Sequence, residues 1–450
     1  MLPHEGVALA VLVVATLVGN LLSIPAAGFL IAVGAAVLVL PRHRTISGHV
    51  KWSCFVLTAL ALALIWRLDA PFEVLGKGIL VSGSLISLIA VVQLFAISST
   101  DARTLALVRT ILLHQAPVRR YPIFNVASQG MSAALNLAGT RMVFSVLEGS
   151  GLRANEHREL LFATTRGFSA AIFWSPMFGN MAVLLALHPY VAWYEVAPLG
   201  FLMAQLTVVI GSVMNYMQNA GSVPAWRASD DVGVPALSEL RIPVLLLGLL
   251  MCFIAAAAYM MQTSVVTAIV LTLPFASLLS NLMSRRQASS QSRGGWRGTT
   301  EKFPPLATEC LVFLTAGLAG TVIIAAIPQD VITLSSSAVS GVPALTVPLL
   351  MCSIIGLAIV GIHPILAGTL VSSVFTPSAL ALPSLLYCCA VLSGWGLAST
   401  VAPFSLVNLL AGRQGRLSVF EVSLRGNGAY ALVCFVAIAG FLVLISSWVQ

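Results

Sequence analysis

All but three of the 23 Lys and Arg residues in this 450-residue chain fall in six short polar gaps between long apolar stretches, which closes off most folds. The gaps hold Arg42, Arg44 and Lys51; Arg103, Arg109, Arg119 and Arg120; Arg153, Arg158 and Arg166; Arg227 and Arg241; Arg285, Arg286, Arg293, Arg297 and Lys302; and Arg413, Arg416 and Arg425. Only 8% of residues are charged and 58% are hydrophobic, whereas soluble domains carry roughly 25% charged residues. Such a chain is expected to be an all-α polytopic membrane protein. Its net charge of +8 does not point to nucleic acid, because the basic residues are dispersed through short loops, where they act as topology signals. The cysteines lie in apolar stretches without metal-ligand spacing and read as small buried hydrophobes. The apolar run from Gly6 has no basic flank before it and no clear cleavage site, so it reads as a retained first span.

A crossing needs about 20 apolar residues. That requirement predicts spans over Gly6–Ser23, Ile24–Leu40, Trp52–Leu68, Lys77–Ser98, Gly167–Leu187, Ala192–Asn215, Ile242–Gln262, Val265–Met283, Leu306–Ile327, Leu380–Leu410 and Gly428–Val449, about eleven in all. The first two are separated only by Ser23-Ile24-Pro25 and form either two helices or one bent element. Tyr121–Leu147 is also apolar, but Arg120 and Arg153 bracket it on one side of the membrane. It therefore reads as a re-entrant hairpin, which must be sheltered by protein or line a cavity. Val331–Val360 lies in a region without Lys or Arg between Lys302 and Arg413, so it reads as a second hairpin entering from outside. An alternative extends that hairpin through Ile362–Phe375 with its turn near His363.

The resulting organisation is a first transmembrane helix (1–23), a first repeat (24–215) with an inward-opening hairpin (121–147), a cytoplasmic linker (216–241), and a second, inverted repeat (242–449) with an outward-opening hairpin (331–360). Only Arg67 and Lys77 lie on the far side of the spans, and Arg141 lies within an apolar segment. The charge bias places the amino terminus in the cytoplasm and the carboxyl terminus outside, in the inner membrane of a cell. A local repeat supports the inversion. Phe173-Trp174-Ser175-Pro176-Met177-Phe178-Gly179-Asn180 follows the first hairpin, and Thr400-Val401-Ala402-Pro403-Phe404-Ser405-Leu406-Val407-Asn408 follows the second. Each sets a small residue, a proline and an Asn inside a span. Proline removes a helix donor, and interrupted helices are where secondary transporters expose carbonyls to a cation and helix amino termini to an anion.

With these features the chain resembles the ion transporter superfamily, which includes the divalent anion/sodium symporters and the large membrane subunit of TRAP transporters. The resemblance rests on the inverted halves, the opposed hairpins, the two Pro-to-Asn segments and Gly361-Ile362-His363-Pro364-Ile365. It implies cation-coupled carriage of a small organic anion of the carboxylate class, using two hairpin tips, two interrupted helices and an elevator-like motion. The Ser-Asn-Thr hairpin motif of the dicarboxylate symporters is absent. Ser128-Gln129-Gly130-Met131-Ser132 and Ser337-Ala338-Val339-Ser340-Gly341 stand in the hairpins instead. A homodimer is the expected assembly, with a periplasmic binding protein or a small membrane subunit as further candidate partners.

Candidate substrate-binding residues are accordingly Ser128, Gln129, Ser132, Arg141, Ser175, Asn180, Ser340, Ser405 and Asn408. Candidate oxygen ligands for Na+ come from Gly130, Pro176, Asn180, Gly341, Ala402 and Asn408. Arg141 would sit roughly 9 Å from the Leu147 end of a helical arm, where it either snorkels to the surface, binds the anion or pairs within the protein. Glu195 reads as an interfacial carboxylate, and His363 as a turn residue or a proton carrier. Scarce buried carboxylates favour Na+ over H+ as the coupling ion, and no other cofactor is expected. Competing readings are the membrane subunit of a binding-protein-dependent carrier, an ion channel, or an intramembrane serine hydrolase around Leu392-Ser393-Gly394-Trp395. The last lacks a positioned His, so the chain is not expected to be an enzyme. No P-loop is present.

Overall fold

The computed structural model describes residues 3–448 apart from 23, 25, 100–101, 220–240, 288–302, 304–305 and 329–338. Every regular element among them is helical. Nine helical stretches in this part are long and apolar enough to cross a membrane, as in a multi-pass membrane protein. Two of the eleven expected spans are not among them, for separate reasons. Gly167–Leu187 is not one helix, because the chain breaks between α8 (Ala154–Ala171) and α9 (Gly179–Leu187). Ile242–Gln262 is represented by α11 (Arg241–Met260), of which a shorter apolar stretch, Leu245–Met260, is described.

The first two spans are separate helices, α1 (Pro3–Leu22) and α2 (Ala26–Val39), packed against each other. Arg42, in the 3-10 turn after α2, closes the pair with a bidentate contact to Glu5 at 2.5 and 3.0 Å. Then follow α3 (Gly48–Ile65), α4 (Pro71–Ser99) and α5 (Ala102–Leu113), the last a short helix inside the second basic gap. The linker 216–241 begins within α10 (Trp193–Asn219), and the rest of it up to residue 240 is outside the described residues.

A helix-turn-helix pair precedes each broken helix. In the first half α6 (Pro117–Leu135) turns at one residue, Asn136, into α7 (Leu137–Leu147). After α12 (Val265–Gln287) and α13 (Ala307–Ala326), the second half has α14 (Pro343–Ile359), a turn over 360–363, and α15 (Pro364–Val374). The turn of this helix pair falls at 360–363, and the described part of 331–360 is essentially one arm. The broken helix of this half is α16 (Ser384–Val401) with α17 (Leu406–Gly415), and α18 (Gly426–Ile445) is the last helix of the described residues.

The two halves share lengths and punctuation. Both α6 and α14 start on a proline and carry another inside, Pro117 with Pro122 and Pro343 with Pro348. The second arms α7 and α15 each have 11 residues, and α8 and α16 each have 18. In each half the first arm packs on the helix that follows the hairpin, α6 on α8 and α14 on α16. The stretch Ser384–Gly415 is the most enclosed of the candidate spans, with 94% of its most apolar window buried.

Lipid supplies little hydrophobic drive between helices, so close backbone approach through small residues carries the packing. The α4–α13 contact shows this. A Cβ on Gly78 would stand 2.6 Å from Thr321 Oγ1 and 3.1 Å from the Leu318 Cα. Ser82 adds hydrogen bonds from Oγ to the Gly78 carbonyl at 2.8 Å and, across the interface, to the Leu314 carbonyl at 3.2 Å.

Candidate functional site

Four helix amino termini meet at one cavity of about 90 Å3. Its lining includes Asn136 and Leu137 at the start of α7, Gly179 and Asn180 of α9, His363 to Ile365 of α15, and Ser405 to Val407 of α17. Gln93 from α4, Thr308 and Glu309 from α13 and Ser399 from α16 complete its polar wall, and Ile89, Val92, Phe168, Phe178 and Phe313 supply apolar surface. The first N–H groups of a helix lack partners within it, and each amino terminus behaves as roughly half a positive charge.

Each terminus is positioned by local chemistry. Asn136 takes φ 52° and ψ −136°, which turns the chain sharply, and its Oδ1 accepts from the Leu137 N–H at 2.7 Å. Its Nδ2 donates to the Met177 carbonyl at 3.0 Å, which pins the first hairpin tip to the break between α8 and α9. Ser175 strengthens the same junction, donating to the Ala133 carbonyl at 2.7 Å and accepting from the Met177 N–H at 3.2 Å. The second tip is held by α3: Ser53 Oγ donates to the Gly361 carbonyl at 3.2 Å and accepts from the His363 N–H at 3.3 Å. The Trp395 indole of α16 donates to the Pro364 carbonyl. Side chains of Asn136, His363 and Ser405 cap α7, α15 and α17, whereas α9 begins with no side-chain cap.

Of the residues singled out from sequence for substrate, the cavity lining includes Asn180 and Ser405. The others hold the frame or lie elsewhere. Ser128 Oγ donates to the Thr164 carbonyl at 2.7 Å, tying α6 to α8, and Ser132 and Thr140 link the two hairpin arms at 2.7 Å. Gln129 meets Gln205 at 3.4 Å. Gly130 is mid-helix in α6, short of the tip. Pro176 lies in the break itself, between two pinned neighbours. Ser340 and Gly341 precede α14, bonded to the Ala379 and Leu380 carbonyls, because the turn of that hairpin is some twenty residues further on. Arg141 is exposed on α7 and outside the lining, although its charge acts on Glu309.

Asn408 is better described as a clamp on the second break. Its Nδ2 donates to the Thr400 and Ala402 carbonyls at 2.8 and 2.9 Å, satisfying acceptors that the break releases, and its buried Oδ1 has no hydrogen-bond partner. Removing a buried donor that serves two carbonyls costs about 1–3 kcal/mol. Asn408→Ala should therefore lower the melting temperature in detergent, and ligand affinity should change only as far as the fold loosens.

Sequence reasoning passed over Gln93, Asn136, Thr308, Glu309 and Ser399. Glu309 carried a usable signal, a carboxylate inside the apolar stretch Leu306–Ile327, and is the one acidic residue of the lining, which contains no Lys or Arg. In comparisons with known proteins, no family model matches the chain and no curated protein matches it.

Proposed function

We propose that the chain is a secondary active carrier of a small organic anion of the carboxylate class, driven by a cation. The observation that carries this reading is the convergence of four helix amino termini, one without a side-chain cap, on a cavity whose lining contains no Lys or Arg. Backbone N–H groups and helix dipoles suit a carboxylate there, and the uncapped start of α9 offers it free donors. In this reading α6–α7 and α14–α15 are re-entrant hairpins opening to opposite sides, and the halves are inverted repeats with the amino terminus in the cytoplasm. The basic gaps support that orientation.

Glu309 supplies a reason for coupling. A substrate carboxylate and an ionised Glu309 in one small cavity repel each other, so the anion binds well only when a proton or a metal cation neutralises Glu309. Scarcity of carboxylates, the ground for preferring Na+ to H+, therefore no longer decides between them. Transport then follows from moving the hairpins and broken helices past the α4–α13 pair.

The test is ligand-dependent unfolding of the purified protein against organic acids and their neutral amides, with Na+ and pH varied. A ligand at 100 times its Kd should stabilise the fold by about 2.7 kcal/mol. Stabilisation by acids and not by matched amides is expected. Equal response to both, or response to neither, would remove the anion reading.

A further inference from the structure

Arg166 is a buried cation with no ion-pair partner among the described residues. By sequence it belongs to a polar gap, yet it lies well inside α8 and is 7% exposed. No carboxylate among the described residues pairs with it. Its Nε donates to Asn427 Oδ1 at 2.8 Å, one terminal nitrogen to the Tyr121 hydroxyl at 2.6 Å and the other to the Gly426 carbonyl at 2.9 Å. The Tyr430 ring centroid lies 4.3 Å from its Cζ. These neutral partners fix the plane of the group and occupy three of its five N–H donors, but none cancels its charge. Burying a guanidinium in this way is costly unless an anion accompanies it.

The group borders a cavity of about 300 Å3 that shares no residue with the one at the helix termini. Arg158 and Arg425 line the same cavity, both with exposed side chains. Glu159, the acid in the lining, is engaged by Asn215 Nδ2 at 3.1 Å, and Glu421 lies close enough to interact with Arg158 and Arg425. Three arginines, one of them buried and fixed by three hydrogen bonds, thus line one space from α8 and from the entry to α18.

We infer that this cavity binds an oxyanion of the phosphate class. Planar guanidinium groups match phosphate oxygens in pairs, and the charge of a phosphate supplies what Arg166 lacks. The basic gaps that contain Arg158 and Arg425 would lie at one membrane surface, where phospholipid headgroups and free phosphate both present this chemistry. An occupant would join α8, which carries the first break, to α6 through Tyr121 and to α18 through Asn427.

The test compares the full-length protein, stripped of lipid in detergent, with and without inorganic phosphate, and the same protein offered vesicles of phosphatidylglycerol. Unfolding temperature and native mass spectrometry are the readouts. Retention of phosphatidylglycerol alone identifies a headgroup site, and stabilisation by phosphate over an equal ionic strength of chloride identifies a site for the free anion. In either case Arg158→Gln combined with Arg425→Gln, both exposed and outside the buried network, should weaken binding by about tenfold or more. Arg166→Gln should abolish it if that variant folds. The inference fails if neither probe binds, or if the Arg158/Arg425 double variant binds as the parent does; Arg166 would then serve only to hold helices together.

Discussion

In a Glu309→Gln protein, binding of a small carboxylate should lose its dependence on pH and on Na+, and uphill uptake should fall to background while exchange of substrate for substrate persists. The reasoning is electrostatic. Two like charges about 6 Å apart at an effective dielectric near 20 repel by roughly 3 kcal/mol, about 100-fold in affinity. On the proposed mechanism the substrate binds the neutralised form of Glu309, so proton coupling requires affinity to fall as pH rises through the titration of that carboxylate. Sodium coupling instead requires affinity to rise with Na+ at fixed pH. Glutamine is neutral at every pH and holds a metal ion poorly, so both dependences should flatten at the high-affinity limit. Measuring carboxylate affinity by thermal titration across pH, then across Na+, separates the cases. A Glu309→Gln protein that keeps the parent's pH and Na+ response would exclude Glu309 as the coupling group.

The sequence carried the broad architecture because its signals are local. Lipid demands long apolar helices, and the basic residues mark their ends. Pro176 and Pro403, each followed by an Asn, mark the two places where the structure interrupts the chain, although proline alone does not break a helix here, since α6 and α14 run on through Pro122 and Pro348. Boundaries set by tertiary packing were harder to read. The second hairpin turns at 360–363, within an almost continuous apolar run where hydropathy offers no edge, and the decisive punctuation is Gly361 at φ 107° followed by Pro364.

The site was less accessible still. Small polar residues of the hairpins and breaks are candidates by position, yet Ser128 and Ser175 spend their hydroxyl groups on carbonyls of neighbouring helices, and Ser132 spends its own on the Thr140 hydroxyl of the facing arm. In a bilayer, holding helices together and binding a ligand draw on the same residue types. Which of them face the cavity depends on the rotation of each helix, and Gln93 on α4 and Glu309 on α13 reach it only because those helices pack so closely. Arg141 shows the converse. It lies in an apolar segment, but it is exposed on α7, whereas Gly139, Thr140 and Val143 are buried.

Asn180→Asp offers the most direct trial of the helix termini themselves. Asn180 lines the cavity at the second residue of α9, is 5% exposed, and differs from Asp by little in shape. A carboxylate there would sit at the helix end that has no side-chain cap, where a negative charge is favoured. It would occupy electrostatically the place proposed for the substrate. An anion about 5 Å from that charge loses roughly 3 kcal/mol, so affinity should drop about 100-fold or more at neutral pH. Acidification should restore part of it as the new carboxyl group takes up a proton. Asn180→Ala removes hydrogen bonds without adding charge, and should cost less and show no such recovery. Comparable losses in both variants, with no recovery of Asn180→Asp at low pH, would show that Asn180 matters for shape alone and that the start of α9 does not hold the anion.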